Sequence, residues 1–406
     1  MDAYLLDWLN LLLRWAHVIT AIAWIGSSFY FVFLDLSLTP PVDEDLKKQG
    51  VDGELWAVHG GGFYHPVKFN VAPPKLPEHL HWFYWEAYST FLSGFFLLCL
   101  MYYGQAELYL IDPAVAPLSK PAAIAIGLAF IVGGWFVYDG LCRTPLARNG
   151  TALGCVLGVL FAAAAWGLCS LFSGRGAFIQ FGAMMGTIMV ANVFFVIIPG
   201  QRGMVREMQE GREPDPQLGL KGRLRSTHNT YFTLPVLFTM ISNHYAMTFG
   251  AKYNWLVLIA MTAAGALIRV YFVSRHFAHE QGARAPLLPA ALAAVLLAGV
   301  IVALSPSRAT GVSLSASGLS PAIQFGEVQA IVAKRCAVCH TAMPSQGGVS
   351  APPAGVRLDA PEFILLHTVR MEKQLATRAM PVGNATGMTE DERAQVLAWI
   401  RNGSPH

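Results

Sequence analysis

The residues of this sequence best suited to chemistry are two cysteines and a histidine near the C-terminal end, in Cys336-Ala337-Val338-Cys339-His340. A C-x-x-C-H motif is the attachment site of a c-type haem, which bonds both thiols. The histidine after the second cysteine then serves as an axial ligand of the iron. A disulfide is the plain alternative, which the adjoining histidine disfavours. We therefore predict a covalent haem c held by Cys336, Cys339 and His340.

A haem of this kind needs a second axial ligand from a distant loop, usually a methionine, whose thioether raises the reduction potential. The methionines that follow the motif are Met343, Met371, Met380 and Met388. Met343 is too close to the motif, and Met371 lies in a helical pattern. Met380-Pro381 lies in a Gly/Pro/Asn-rich loop that resembles the methionine loop of class I cytochromes c. We predict Met380 as the ligand, with His367 as its competitor.

The remainder of the chain is strongly apolar. Of its 406 residues, 54% are hydrophobic and only 13% are charged, whereas soluble proteins carry about 25% charged residues. This composition predicts a polytopic membrane protein. The net charge of +3 is small and spread over loops, so no nucleic-acid partner is expected. The first apolar run is too long for a signal peptide and follows Asp2 and Asp7, so we expect a retained membrane helix.

A membrane helix needs about 20 mostly apolar residues. The stretches that qualify are 8–34, 82–103, 121–142, 151–173, 178–199, 230–250, 253–273 and 285–305. We therefore predict an all-α fold: a polytopic eight-helix transmembrane bundle followed by a small class I cytochrome c-like domain. Its parts are a catalytic membrane domain (1–305), a Ser/Gly/Pro linker (306–323) and a haem domain (324–406). In the haem domain we expect a helix from Phe325 and a capping box at Thr389–Glu392.

Lysine and arginine counts in the loops predict the orientation. Fourteen lie in the loops after the first, third, fifth and seventh stretches, and three in the alternate loops. The basic loops should be cytoplasmic, in the inner membrane of a bacterium, with both termini and the haem domain periplasmic. With this orientation, the polar residues inside the cytoplasmic halves of the helices are Glu86, Asp139, Asn192 and Arg269. At the cytoplasmic mouths lie His81, Arg143, Arg202, Arg225, His228, Asn229, Tyr231 and His276.

Such residues are costly in a membrane and commonly face a cavity. We predict a polar pocket open to the cytoplasm; the alternative is polar bonds between helices and snorkelling side chains. His17 and His244 lie on separate helices and could ligate one or more haem b groups, or hydrogen-bond neighbouring helices. The glycine triplet Gly60-Gly61-Gly62 suits either a tight turn or close approach of a ligand to the backbone.

Several blocks of the sequence carry a family resemblance. These blocks are Trp15-Ala16-His17, Trp24 to Tyr30, His59 to Tyr64, His81 to Tyr88, Arg225 to Tyr231, Leu234 to Leu237 and Ile241 to Tyr245. With the C-terminal haem motif, nearly the whole chain resembles the bacterial membrane-bound urate hydroxylases that end in a cytochrome c domain. The first-helix block is also similar to a membrane haem-binding family involved in protoporphyrinogen oxidation, which supports haem b at His17.

The resemblance implies an oxidoreductase that converts urate to 5-hydroxyisourate with water as the oxygen source. Electrons would pass through haem c to a soluble or membrane cytochrome c and a terminal oxidase, without forming peroxide. Urate is a planar anion that an arginine can pair with: Arg225, Arg202 or Arg269. His81, His228 and Glu86 are the candidate bases for the attacking water.

Three alternatives stay open on the sequence. The chain could be a membrane cytochrome subunit that oxidises quinol without urate chemistry. It could instead be a purine transporter or sensor with an accessory cytochrome, or an enzyme of haem biosynthesis. The first predicts reduction of haem c by quinol and no effect of urate. The second predicts uptake of a purine without its consumption, and the third predicts turnover of protoporphyrinogen.

Overall fold

Helices form most of the chain in the computed structural model, which describes residues 3–69, 71–280, 282–305, 323–346, 349 and 351–405. In chain order, the helices before the predicted linker are α1 (Ala3–Ser37), α2 (Glu44–Lys48), α3 (Trp85–Leu98), α4 (Ala106–Tyr109), α5 (Lys120–Arg143), α6 (Gly150–Leu171), α7 (Gly174–Asn192), α8 (Ile198–Gln209), α9 (Pro216–Ser242), α10 (Ala246–Phe249), α11 (Asn254–Glu280) and α12 (Leu288–Ala303). Single π-helical turns extend α3 over Cys99–Tyr103 and join α7 to α8 over Val193–Ile197.

Five described helices are long and apolar enough to cross a membrane: residues 4–37, 120–143, 150–171, 174–209 and 254–278. α12 is apolar but has 16 residues. A helix therefore lies at each of the eight predicted stretches, and five of them meet this criterion. α9 differs from the predicted stretch because it begins at Pro216 and ends at Ser242. The side chain of Asp215 caps its start by accepting from the backbone N–H of Gln217, and Pro216 suits the first helical position.

The centre of the helical domain is α7, which packs against α5, α6 and α9. Its small residues allow close contact: a Cβ at Gly182 would lie 2.0 Å from the hydroxyl oxygen of Thr239 on α9. Because α5 and α9 both lie against α7, polar side chains on all three helices can meet. The candidate site described below is built at that meeting point.

The first long loop contains short strands, which the all-α prediction did not include. The strands are β1 (Val51–Glu54), β2 (Ala57–His59), β3 (Gly62–Tyr64) and β4 (Val67–Phe69). β1 pairs with β4 and β2 with β3, both antiparallel. Gly60 and Gly61 have φ values of +60° and +81° and form the two-residue turn between β2 and β3. The glycine triplet thus makes a tight turn.

The C-terminal domain contains α13 (Phe325–Arg335), α14 (Pro361–Leu366), α15 (Thr368–Ala376) and α16 (Glu390–Arg401). The predicted helix from Phe325 is confirmed. The capping box is also confirmed: Thr389 accepts from the Glu392 N–H, and the Glu392 carboxylate accepts from the Thr389 N–H. Residues 306–322 of the predicted linker lie outside the described residues. The domain has its own core, which includes Val328, Val332, Ile364, Met371, Leu375, Met388, Val396 and Trp399.

Candidate functional site

A buried ion pair links α5 to α9. The Nη2 atom of Arg225 donates to Oδ1 of Asp139 over 2.6 Å, and only 5% of the arginine side chain is exposed. The second oxygen of Asp139 accepts from Nε of Arg143, also at 2.6 Å, but that side chain is 71% exposed. Asp139 therefore shares its single negative charge between one buried and one exposed cation. The Nη1 atom of Arg225 is buried and has no hydrogen-bond partner among the described residues.

Beside this pair, a chain of hydrogen bonds crosses α5, α7 and α9. It begins at the backbone carbonyl of Met189, which can only accept, so Nδ2 of Asn229 must point toward it, at 3.0 Å. Oδ1 of Asn229 then accepts from Nδ2 of Asn192 at 2.9 Å. The same Nδ2 donates to the hydroxyl of Tyr138 at 3.0 Å, and that hydroxyl lies 2.8 Å from Nδ1 of His228. One fixed carbonyl thus orients both amides.

The network leaves one amide oxygen free. Because Nδ2 of Asn192 makes both of its hydrogen bonds, Oδ1 is left over, buried and without a partner in the described structure. Asn192 is fully buried, Tyr138 is 1% exposed, and the guanidinium of Arg225 lies 5.0 Å from the centre of the Tyr138 ring. An unpartnered donor on Arg225 and an unpartnered acceptor on Asn192 therefore flank the same tyrosine. Unsatisfied buried polar atoms are rare and call for an explanation.

His228 is held on one side only. The hydroxyl of Tyr138 donates to Nδ1 of His228, which is the acceptor within its reach among the described residues. The Sγ atom of Cys142 lies 4.0 Å from the same nitrogen. With Nδ1 accepting, the neutral ring carries its proton on Nε2. The pair Tyr138–His228 can therefore move a proton between a ligand beside Tyr138 and the imidazole.

The predicted catalytic residues do not all meet here. Arg225 and His228 lie one turn apart on α9, the first in the ion pair and the second at the end of the hydrogen-bond chain. Glu86 lies in the first turn of α3, where its Oε2 atom is buried and unpartnered in the described structure. His81 is exposed, with its ring edge-on to Phe83 at 4.7 Å. No described contact joins His81 or Glu86 to Arg225 or His228.

The other two predicted arginines lie apart from the network. Arg269 stacks on Phe29 of α1 at 4.2 Å, and Arg202 lies 5.9 Å from the ring centre of Tyr84. Sequence reasoning identified Asp139 and Asn192 as polar residues inside the helices and Asn229 as one at their mouths, but it missed Tyr138. The available signal was its position next to Asp139, because a buried tyrosine usually needs a hydrogen-bond partner.

The C-x-x-C-H motif follows directly after α13. Both cysteines are free thiols, so the disulfide alternative is not what the structure has. Burial raises the pKa of Cys336 to about 12 and also raises the pKa of Cys339. Nδ1 of His340 lies 2.9 Å from the carbonyl oxygen of Val356 and must donate to it. The Nε2 lone pair is then free for a metal, as in most metal-bound histidines, so these residues fit a covalent haem.

The four candidate methionines differ in how far their side chains are buried. Met371 and Met388 pack in the core of the domain, and Met343 is 87% exposed. Met380 is half-buried in the loop before α16. Its backbone carbonyl accepts from Nη1 of Arg393 at 2.7 Å. The structure thus leaves Met380 as the methionine that is neither in the core nor fully exposed.

The two membrane histidines have different surroundings. Nδ1 of His17 lies 3.1 Å from both the carbonyl of Thr90 and the hydroxyl of Ser93 on α3. This is the hydrogen-bonded alternative considered from sequence, and it leaves Nε2 available. The prediction that His244 lies on a helix is wrong: α9 ends at Ser242, and His244 is exposed in the turn that follows. No described hydrogen bond connects the two histidines.

Together these features define a mostly helical protein with membrane-type helices, a buried polar site among them and a separate small domain bearing C-x-x-C-H. Comparison with protein families gives a match to the urate oxidase N-terminal family over residues 3–305. The chain belongs to this family, whose match covers the helical domain and ends before the C-x-x-C-H motif. No curated protein and no solved structure matches the chain.

Proposed function

We propose that this chain is a membrane-bound urate hydroxylase that oxidises urate to 5-hydroxyisourate and passes the electrons outward through its C-terminal domain. The observation that carries the proposal is the unpartnered donor–acceptor pair around Tyr138, within the part of the chain that belongs to the urate oxidase N-terminal family. Urate plus water gives 5-hydroxyisourate, two protons and two electrons. The site must therefore bind a planar anion, hold a water and accept a proton.

Substrate binding is assigned to Arg225 and Asn192. Nη1 of Arg225 would donate to an oxygen of the urate anion, and Oδ1 of Asn192 would accept from a ring N–H. An anion beside Arg225 also suits the charge balance, because Asp139 already pairs with exposed Arg143. Charge-assisted hydrogen bonds in a dry site are about twice as strong as neutral ones. Asp139 is a positioning residue that holds the guanidinium in place.

Proton removal is assigned to His228 through Tyr138. As water adds to the oxidised ring, the Tyr138 hydroxyl can accept its proton while passing its own to Nδ1 of His228, 2.8 Å away. Glu86 and His81, also candidates from sequence, have no described contact with this pair and are not used in the proposed step.

Electron acceptance is assigned to a haem c held by Cys336, Cys339, His340 and Met380. When bound, this group supplies one-electron acceptance and donation, so the substrate would lose its two electrons in succession. Haem b at His17 and His244 stays a prediction. We further propose eight membrane spans, with the basic loops cytoplasmic and the C-terminal domain periplasmic. The external partner would be a cytochrome c that leads to a terminal oxidase.

The decisive experiment is anaerobic addition of urate to the purified full-length protein, followed by haem absorbance and product analysis. Reduction of haem c with loss of urate and incorporation of oxygen from labelled water is expected. Asn192→Leu should weaken urate binding by about tenfold or more, since it removes an acceptor that a polar ligand needs. Thr187→Val on the same helix is the matched control. A protein that neither consumes urate nor becomes reduced by it would refute the proposal.

Quinol oxidation is the second candidate, and one observation favours it. An apolar groove of about 480 Å³ between α5, α6 and α7 reaches Tyr138 and is lined by small residues such as Gly133, Gly134 and Ala164. A hydrocarbon tail could lie there with its head group at Tyr138. This function predicts that a short-chain quinol reduces haem c in the absence of urate, and that urate has no effect.

A further inference from the structure

The loop that carries Met380 packs against the helical domain. We name residues 377–383 the methionine loop and residues 106–112, which include α4, the α4 segment. A Cβ at Gly383 would lie 2.8 Å from the carbonyl oxygen of Leu108 and 2.9 Å from that of Ile111. Such distances leave no room for a side chain. The two backbones are therefore in direct contact on one side of Met380.

A second backbone contact lies at the other end of the same loop. A Cβ at Gly250, in the turn after α10, would lie 2.0 Å from the carbonyl oxygen of Thr377. Gly250 has an ordinary right-handed backbone conformation, with φ of −86°. The closest clash of a side chain at Gly250 would therefore be with the other domain, and the carbonyl oxygen of Ala246 in its own turn would lie at 2.7 Å. The methionine loop is held between the α4 segment and Gly250.

The loop is also tied to the core of its own domain through a buried cation. Arg393 is 6% exposed, and its Nη1 atom donates to the carbonyls of Met380 at 2.7 Å and Leu375 at 3.2 Å. The residue that fixes the Met380 backbone is therefore anchored inside its own domain.

We propose that the methionine loop is the docking surface of the haem domain on the helical domain, and that docking holds Met380 in position as a haem ligand. The α4 segment and Gly250 both follow helices that run to the end of the bundle opposite the basic loops, so the contact lies on the face predicted to be periplasmic. The inference rests on the proposed function in taking the C-terminal domain as a haem c domain. Electrons released one at a time by substrate oxidation would enter at this face.

The test uses Gly250→Val in the full-length protein, with Gly299→Val as its control. Gly299 lies in α12 and has no atom within 4 Å of a Cβ built there. For Gly250→Val we expect faster hydrogen exchange in both the α4 segment and the methionine loop. We also expect a several-fold loss of the methionine-to-iron charge-transfer band. Reduction by urate should slow at least tenfold, while dithionite, a small and strong reductant that needs no docking, should still reduce the haem completely.

The two proposals fail in different ways. If urate does not reduce the wild-type haem, the proposed function fails, but hydrogen exchange and the charge-transfer band still report docking. If Gly250→Val leaves both of these as in the wild type, docking does not position Met380. Should that variant not fold, Ala251→Cys with Thr377→Cys offers a second measurement. The carbonyl of Thr377 lies directly against the backbone of Gly250, next to Ala251, so a short bismaleimide should join the two cysteines, and absence of the cross-link overturns the docked arrangement.

Discussion

Replacing Asp139 by asparagine should be among the most destabilising single changes in the helical domain. The amide would keep the shape of the side chain but leave the Arg225 guanidinium, 5% exposed, without an anion. Breaking a buried pair by removing one partner costs about 3–5 kcal/mol, because the remaining charge stays buried. The matched control removes the other cation: Arg143 is 71% exposed, so Arg143→Met should cost about 0–1 kcal/mol.

The double variant Asp139→Leu with Arg225→Met provides the decisive comparison. It removes both buried charges, and such replacements are commonly neutral or stabilising. We expect its free energy of unfolding to lie within about 1 kcal/mol of the wild type or above it. The same protein should nevertheless lose urate binding, because the proposed anion ligand is gone. Stability and function would then separate in one variant.

The assay is reversible unfolding in mixed micelles, with helix content measured against the mole fraction of denaturing detergent. Asp139→Asn, Arg143→Met and the double variant are compared under one condition. Equal small losses for Asp139→Asn and Arg143→Met would refute the reasoning, since they would show that burial does not distinguish the two cations. A double variant as unstable as Asp139→Asn would show that the network depends on the carboxylate itself.

Three further predictions concern other parts of the chain. Gly94→Ala should cost about 1–3 kcal/mol in the same unfolding assay, because its Cβ would lie 2.7 Å from Cε1 of His17. Met380→Leu should abolish the methionine-to-iron charge-transfer band and lower the reduction potential in a redox titration. Hydrogen bonds from Arg357 and Thr341 lower the pKa of Asp359 from 3.8 to about 2. Its stabilising effect is therefore complete above about pH 4 and is lost as the pH falls toward about 2, so acid unfolding of Asp359→Asn should lack this pH dependence.

Each of these has a control and a contrary outcome. Gly133→Ala, where no atom lies within 4 Å of the added Cβ, should be neutral; equal effects at both glycines would mean that the His17 contact is unimportant. Met343→Leu should leave the haem spectrum unchanged because Met343 is exposed, and loss of the band there would assign the ligand to Met343. An Asp359→Asn protein that keeps the wild-type acid transition would show that other carboxylates govern it.

Much of the architecture follows from local sequence signals. A helix lies at each of the eight apolar stretches, although α9 is displaced from its predicted bounds. A chain in an apolar medium must satisfy its backbone hydrogen bonds within itself. The capping box at Thr389 and the helix before Cys336 are read from adjacent residues, and both are confirmed. The hairpins of the first long loop were missed, because their strands have three or four residues and no clear alternation.

The sequence by itself determined which residues could do chemistry: C-x-x-C-H needs only neighbours along the chain. The tertiary structure decided which polar residues meet. Tyr138 and His228 are 90 positions apart, and Asp139 and Arg225 are 86 apart, so their pairing depends on the rotation and depth of α5 and α9 against α7. Glu86 has the same polarity and the same expected depth, yet no described contact joins it to Arg225 or His228. Which face of a helix turns toward which neighbour is set by packing across the whole bundle, and local sequence does not encode it.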